Sequence, residues 1–146
     1  MKNEKLFNLL ACYYAFECKI RNYHWNVECH HFTEYHKYFE EMYDTVAEEI
    51  DTIAEQIRKL GEKVPATLNN FIDASKNSGF KDANSEETSK DMIVDLIKDN
   101  NKLLDMVKDL KLELDGQREH MGTCILLDDL LKSREKTGWF LSSLSK

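Results

Sequence analysis

Apolar residues along the first stretch of the chain recur at helical intervals. Between residue 4 and about residue 26 they fall at Leu6, Leu9, Leu10, Tyr13, Tyr14, Phe16 and Ile20, which predicts an amphipathic helix. The segment "NVECHHFT" interrupts that period, and Thr33 is the expected N-cap of the next helix. There Phe39, Tyr43, Val46, Ile50, Ile53, Ile57 and Leu60 step by 4, 3, 4, 3, 4 and 3, a sustained heptad seam. Gly61 is placed to close it as a C-cap. Pro65 and Thr67 predict a short helix through Ile72, with "KNSG" as a turn. Ser85 is the expected cap of a third long helix, with Glu86, Glu87 and Thr88 in its first turn. That helix turns Ile93, Leu96, Ile97, Leu103, Leu104, Val107, Leu110 and Leu114 inward. After a break between Gly116 and Gly122, a last helix runs from about Thr123 to Leu144 through Leu127, Leu130, Leu131 and Phe140. The prediction is an all-α four-helix bundle with a short extra helix in the long connection between helices two and three. Residues 1–146 are expected to form one domain.

Composition agrees. Apolar residues make up 42% of the chain and charged residues 32%, with one proline and five glycines, and β-branched clusters that would mark strands are missing. A net charge of -7 argues against charge-driven binding to DNA or anionic membranes, which needs a basic patch, and suits a protein that attracts cations. Cys12, Cys18, Cys29 and Cys124 form no C-x-x-C pair and read as buried or free thiols in a reducing cytoplasm. "LLAC" at 9–12 looks like a lipoprotein cleavage box, but the apolar run before Cys12 is shorter than an export signal requires. No run has membrane-helix length, so a cytoplasmic protein is expected.

The second helix carries another stripe beside its apolar seam. His36, Glu40, Asp44, Glu48, Asp51 and Glu55 are spaced 4, 4, 4, 3 and 4, which puts them on one side. A solvated acidic face is the plain reading. Against it, like charges at i,i+4 cost about 0.2–0.5 kcal/mol per pair, and the stripe begins with a histidine twelve residues after His24. Carboxylate and imidazole together are ligands for iron, manganese or zinc. His36 with Glu40, and Asp51 with Glu55, are each one helical turn apart. His36 and Asp51, however, are separated by about 22 Å of helix rise. If both pairs serve one site, the second comes from another copy through an antiparallel two-fold contact, giving two identical sites per dimer. A cage within one chain is disfavoured, because the only Glu-x-x-His spacing, Glu28–His31, lies in the turn.

"NYHWNV", a histidine twelve positions after its own, and "EEIDTIAEQIRKLGEKVPATLNNF" together resemble the Dps or miniferritin family of ferritin-like, iron-detoxifying proteins. "EKTGWFLSSL" is similar to the end of that family's last helix. The resemblance implies a ferroxidase that stores iron in a hollow homo-dodecamer. Fe(II) would be oxidised at di-iron or mono-iron centres on the two-fold interfaces, by hydrogen peroxide in preference to oxygen. The Fe(III) product would be held as mineral, which protects the cell from oxidative stress. His24, His36 and Glu40 would come from one subunit and Asp51 and Glu55 from its mate, with Asp44 and Glu48 as weaker candidates for mineral nucleation. Family members often have Asp where Glu40 stands. Trp25 matches a family tryptophan near the centre, with packing between subunits as its expected role. His30 and His31, in the turn, are expected to face solvent, and His120, in a loop before the last helix, is expected at the surface or at an interface.

Two departures qualify the likeness. Relatives that bind DNA use a lysine-rich tail, whereas "MKNEKLFNLL" and "SSLSK" offer little of one, so direct DNA binding is not expected. A non-enzymatic DNA-binding or surface-recognition shell of the same fold is the alternative function. Relatives also line an iron pore with an acid two residues after a threonine. In "GTCILLDD" that position is Ile125, the acids follow at Asp128 and Asp129, and Asp115 or Glu119 become candidates for iron entry.

Overall fold

The computed structural model describes residues 1–146 and contains helices and turns without a strand. Its helices are α1 (Glu4–Asn26), α2 (Phe32–Lys59), α3 (Leu68–Asn77), α4 (Ser89–Leu114) and α5 (Met121–Leu144), with a 3₁₀ turn over Arg118–His120. α1 and α2 form one hairpin and α4 and α5 another. The two hairpins pack through α1 on α4 and α2 on α5, while α3 in the crossover lies against α1. Phe71 of α3 stacks between Phe7 and Tyr14 of α1, at 5.7 and 4.5 Å between ring centres. The heptad seam of α2 is the face that meets the core. Phe39, Val46, Ile53 and Ile57 are fully buried there, beside Leu9, Tyr13, Phe16, Leu96, Leu103, Val107 and Leu127 from the other helices. Each such side chain contributes roughly 1.5–3 kcal/mol by leaving water. No helix is long and apolar enough to cross a membrane.

Several boundaries differ from expectation. α2 begins at Phe32 behind His31 rather than behind Thr33, and its cap position makes no side-chain hydrogen bond. Gly61 does sit past the helix end with φ of +92°, a conformation that disfavours side chains. α3 starts behind Thr67, whose hydroxyl accepts from Asn70 N, but it runs on to Asn77, so the turn is confined to Ser78 and Gly79. α4 is capped by Thr88, not Ser85. The Thr88 hydroxyl accepts from Asp91 N at 3.2 Å and donates to its carboxylate at 2.9 Å, whereas Ser85 bonds Asn22 of α1. α5 starts two residues early, at Met121. Phe140, expected inward, lies at the rim between α2 and α5, stacked on Tyr38 at 5.9 Å.

The bundle interior also carries charge that hydrophobic periodicity does not announce. Arg134 is 1% exposed, and its Nη2 donates to Glu49 Oε1 at 2.8 Å and to Ser133 Oγ. Its Nη1 donates to Asn100 Oδ1, and the Asn100 amide returns a bond to the Arg134 carbonyl. Gly138 admits this approach, since a Cβ there would stand 3.2 Å from Asn100 Nδ2. Lys19, also buried, lies 2.8 Å from Asp99 and 3.0 Å from Asp95. Tyr23 donates to Asp95 and to Glu87. Burial pushes Glu49 above the usual carboxylate range, against the pull of Arg134.

Candidate metal centre

His24 is two residues from the end of α1, and His36 is the fifth residue of α2. The short reversal between the helices therefore brings the two side chains face to face. Their rings stack at 3.7 Å between centres, 16° from parallel. His24 Nδ1 donates to the His36 carbonyl and His36 Nδ1 donates to the His24 carbonyl, both at 2.7 Å. A carbonyl oxygen only accepts, so each Nδ1 carries a proton, which in the neutral tautomer leaves the lone pair on Nε2. Histidine ligands of metals are commonly oriented in this way, with the second nitrogen held by a carbonyl. The pair thus fits a soft-to-borderline divalent cation such as Fe(II) without any change of tautomer.

Aromatic side chains wall the pair in. Phe32 stacks on the outer face of His36 at 5.1 Å, and Tyr43 meets His24 edge-on at 5.2 Å. The Arg21 guanidinium lies 4.1 Å over the Tyr43 ring and is itself held by two bonds to Glu17 Oε1 at 3.0 and 2.8 Å. Glu40, one turn beyond His36, is exposed, with the Tyr43 hydroxyl 3.5 Å from its Oε1. Neither Tyr43 nor Arg21 was singled out for the site from the sequence. Periodicity places Tyr43 in the apolar seam, while its spacing of three from Glu40 is the signal that ties it to the site.

Asp51 and Glu55 are exposed farther along α2 and do not approach the histidines. No three His, Cys, Asp or Glu side chains converge on one point within the chain, as the helix-rise separation of about 22 Å demands. Asp44 and Glu48 are exposed on the same helix. The interior offers no alternative, because Glu49 and Asp99 are each already paired with a buried cation. Trp25, beside His24, is 67% exposed. His30 and His31 are exposed as expected, but His120 is not a surface residue. It is buried in the 3₁₀ turn with Nδ1 3.5 Å from Thr123 Oγ1, because that turn folds it back over the start of α5. Ile125 is 65% exposed, Asp128 is engaged by Lys111, and Asp115, Glu119 and Asp129 are exposed.

The family model described as "Ferritin-like domain" matches residues 3–146. Among solved structures, the DPS protein of Vibrio cholerae O1 is 30% identical. The match covers 98% of this chain and 87% of that one, with a TM-score of 0.90. The chain belongs to the Dps proteins of the ferritin-like family. The Vibrio protein is described as a member of a broad superfamily of ferritin-like diiron-carboxylate proteins. This Dps chain is also similar to the Dps protein of Bacillus brevis, at 27% identity over 97% of this chain and 93% of that one, TM-score 0.90. Similarity to the CAIP protein of Helicobacter cinaedi is 27% over 98% of both chains, TM-score 0.88. No curated protein matches the chain. The expected family and the expected ferritin-like bundle are both borne out.

Proposed function

We propose that this Dps protein is a ferroxidase and iron-storage miniferritin, acting in the cytoplasm as one ferritin-like domain assembled into a hollow dodecamer. Fe(II) is its substrate and cargo. His24, His36 and Glu40 of one subunit and Asp51 and Glu55 of the partner subunit bind it at a two-fold contact between second helices. Hydrogen peroxide is the oxidant, with oxygen slower. Each peroxide takes one electron from each of two ferrous ions and, with two protons, leaves two ferric ions and two waters. The imidazoles supply neutral donors and the carboxylates offset the cationic charge through the change of oxidation state. Asp44 and Glu48 on the same exposed stripe serve as weaker sites where Fe(III) mineral begins.

The reciprocal bond between His24 and His36 carries this reading. Both tautomers are set before metal arrives, at the head of an acidic stripe whose other ligands are out of reach within the chain. The ferritin-like diiron-carboxylate description of the Vibrio relative supports iron as the metal. With a net charge of -7, protection of DNA by consuming Fe(II) and peroxide needs no contact with the polymer.

Anaerobic Fe(II) loading followed by peroxide tests the proposal. The assembled chain should oxidise Fe(II) rapidly and retain the iron in the particle. The double variant His24→Ala/His36→Ala should lose the fast phase, and parental rates in that variant would overturn the assignment.

A further inference from the structure

Tyr43 stands between two members of the proposed ligand set. Its ring and the His24 imidazole meet edge to face with centres 5.2 Å apart, and its hydroxyl lies 3.5 Å from Glu40 Oε1. No other side chain touches the Glu40 carboxylate within hydrogen-bonding distance. The Arg21 guanidinium lies over the ring, 4.1 Å from its centre, and is anchored twice to Glu17 on the same face of α1. A chain of contacts from Glu17 and Arg21 on α1 therefore runs through Tyr43 to Glu40, the latter two both on α2.

We infer that Tyr43 is a positioning residue for metal binding: its hydroxyl holds one oxygen of Glu40 and leaves the other turned to the ion beside His24 and His36. This rests on the proposed metal site and adds to it a role for a residue of the apolar seam. The longer side chain of Glu has one more rotatable bond than Asp, so a carboxylate at this position needs an outside restraint to be preorganised. A phenol donor on the face of the helix, three residues on, is in reach to provide it. Changes to such supporting hydrogen bonds typically weaken metal binding by about 10–100-fold.

A double-mutant cycle on the assembled, full-length chain tests this, with Co(II) as the probe, titrated anaerobically and followed by calorimetry and by its visible d–d absorption. Tyr43→Phe, which keeps the ring on His24, should weaken Co(II) binding by about tenfold and shift the absorption band. Glu40→Ala should weaken it as well, and adding Tyr43→Phe to Glu40→Ala should cost nothing more, because the hydroxyl acts through that carboxylate. Arg21→Met should produce a smaller loss in the same direction. A Tyr43→Phe protein with parental affinity and spectrum, or losses that simply multiply in the double variant, would overturn the inference while leaving the metal site intact. Failure of His24→Ala/His36→Ala to lower Co(II) affinity would instead overturn the site itself, and this inference with it.

Discussion

His24 and His36 hold each other. Each ring donates from Nδ1 to the other residue's backbone carbonyl at 2.7 Å, while the two planes stack 3.7 Å apart. Each bond runs from a side chain to a backbone carbonyl. The pair is therefore a property of where α1 stops and α2 starts. Outer-shell changes at metal sites cost about 10–100-fold in affinity, and loss of a ligand costs more. His24→Ala and His36→Ala are each expected to weaken Zn(II) binding by at least about 100-fold, measured by competition with a chromogenic chelator.

Sharing of ligands between subunits makes a sharper claim. A His24→Ala/His36→Ala chain keeps Asp51 and Glu55, and an Asp51→Asn/Glu55→Gln chain keeps both histidines and Glu40. Each homo-oligomer should be inactive. Co-assembled in equal amounts, about half of the two-fold pairs are mixed, and each mixed pair rebuilds one of its two sites. Ferroxidase activity should return to about a quarter of the parental value. If co-assembled particles stay inactive although mass analysis shows mixed pairs, the inter-subunit site is wrong.

Lys19 is the cation that pairs directly with Asp99 and also with Asp95, both inside the α1–α4 contact. Burial alone would pull its ammonium down, but the two aspartates outweigh this and raise it above the ordinary lysine value. Lys19→Met leaves buried carboxylates without their partner and should cost about 3–5 kcal/mol, read as a lowered urea midpoint.

The same variant has a signed pH dependence. Burial raises Asp99 above its ordinary value of 3.8, with Lys19 pulling the other way, so removing Lys19 raises it further. Across the window from the ordinary to the raised value, the folded chain keeps a proton that the unfolded chain has lost. Stability from this group is complete below that window and is lost as pH rises through it. The deficit of Lys19→Met relative to the parent should accordingly shrink on going from about pH 7 to about pH 5. A deficit that grows on acidification would contradict it.

The cysteines should separate by reactivity. Cys12 is fully buried, and burial pushes its thiol up to about 11, whereas Cys18 is exposed. Because the thiolate is the reacting form, iodoacetamide at neutral pH should label Cys18 within minutes and Cys12 only on unfolding, as followed by peptide mass analysis.

Much of this molecule was written in its local pattern. The seam through Phe39, Val46, Ile53 and Ile57 determines that α2 is a helix and which face it buries, because periodicity reports how many side chains can leave water together. The stripe from His36 to Glu55 likewise determines, through helix rise alone, that its two ends cannot meet within one chain. What periodicity cannot report is which polar group faces which across the bundle. Glu49 and Arg134 look like ordinary surface charges in one dimension, and only the packing of α2 on α5 makes them a buried pair. Ser85 and Thr88 are both competent caps; the choice fell to Thr88 because Ser85 is taken by Asn22 of another helix. His120 is drawn inside by a 3₁₀ turn that carries no strong local signal. Tyr43 reads as core, and the packing places it at once against the core, the His24 ring and the Glu40 carboxylate. Hydrogen bonds and ion pairs depend on distances of a few ångströms between segments far apart in the chain, and those distances exist only once the helices have packed.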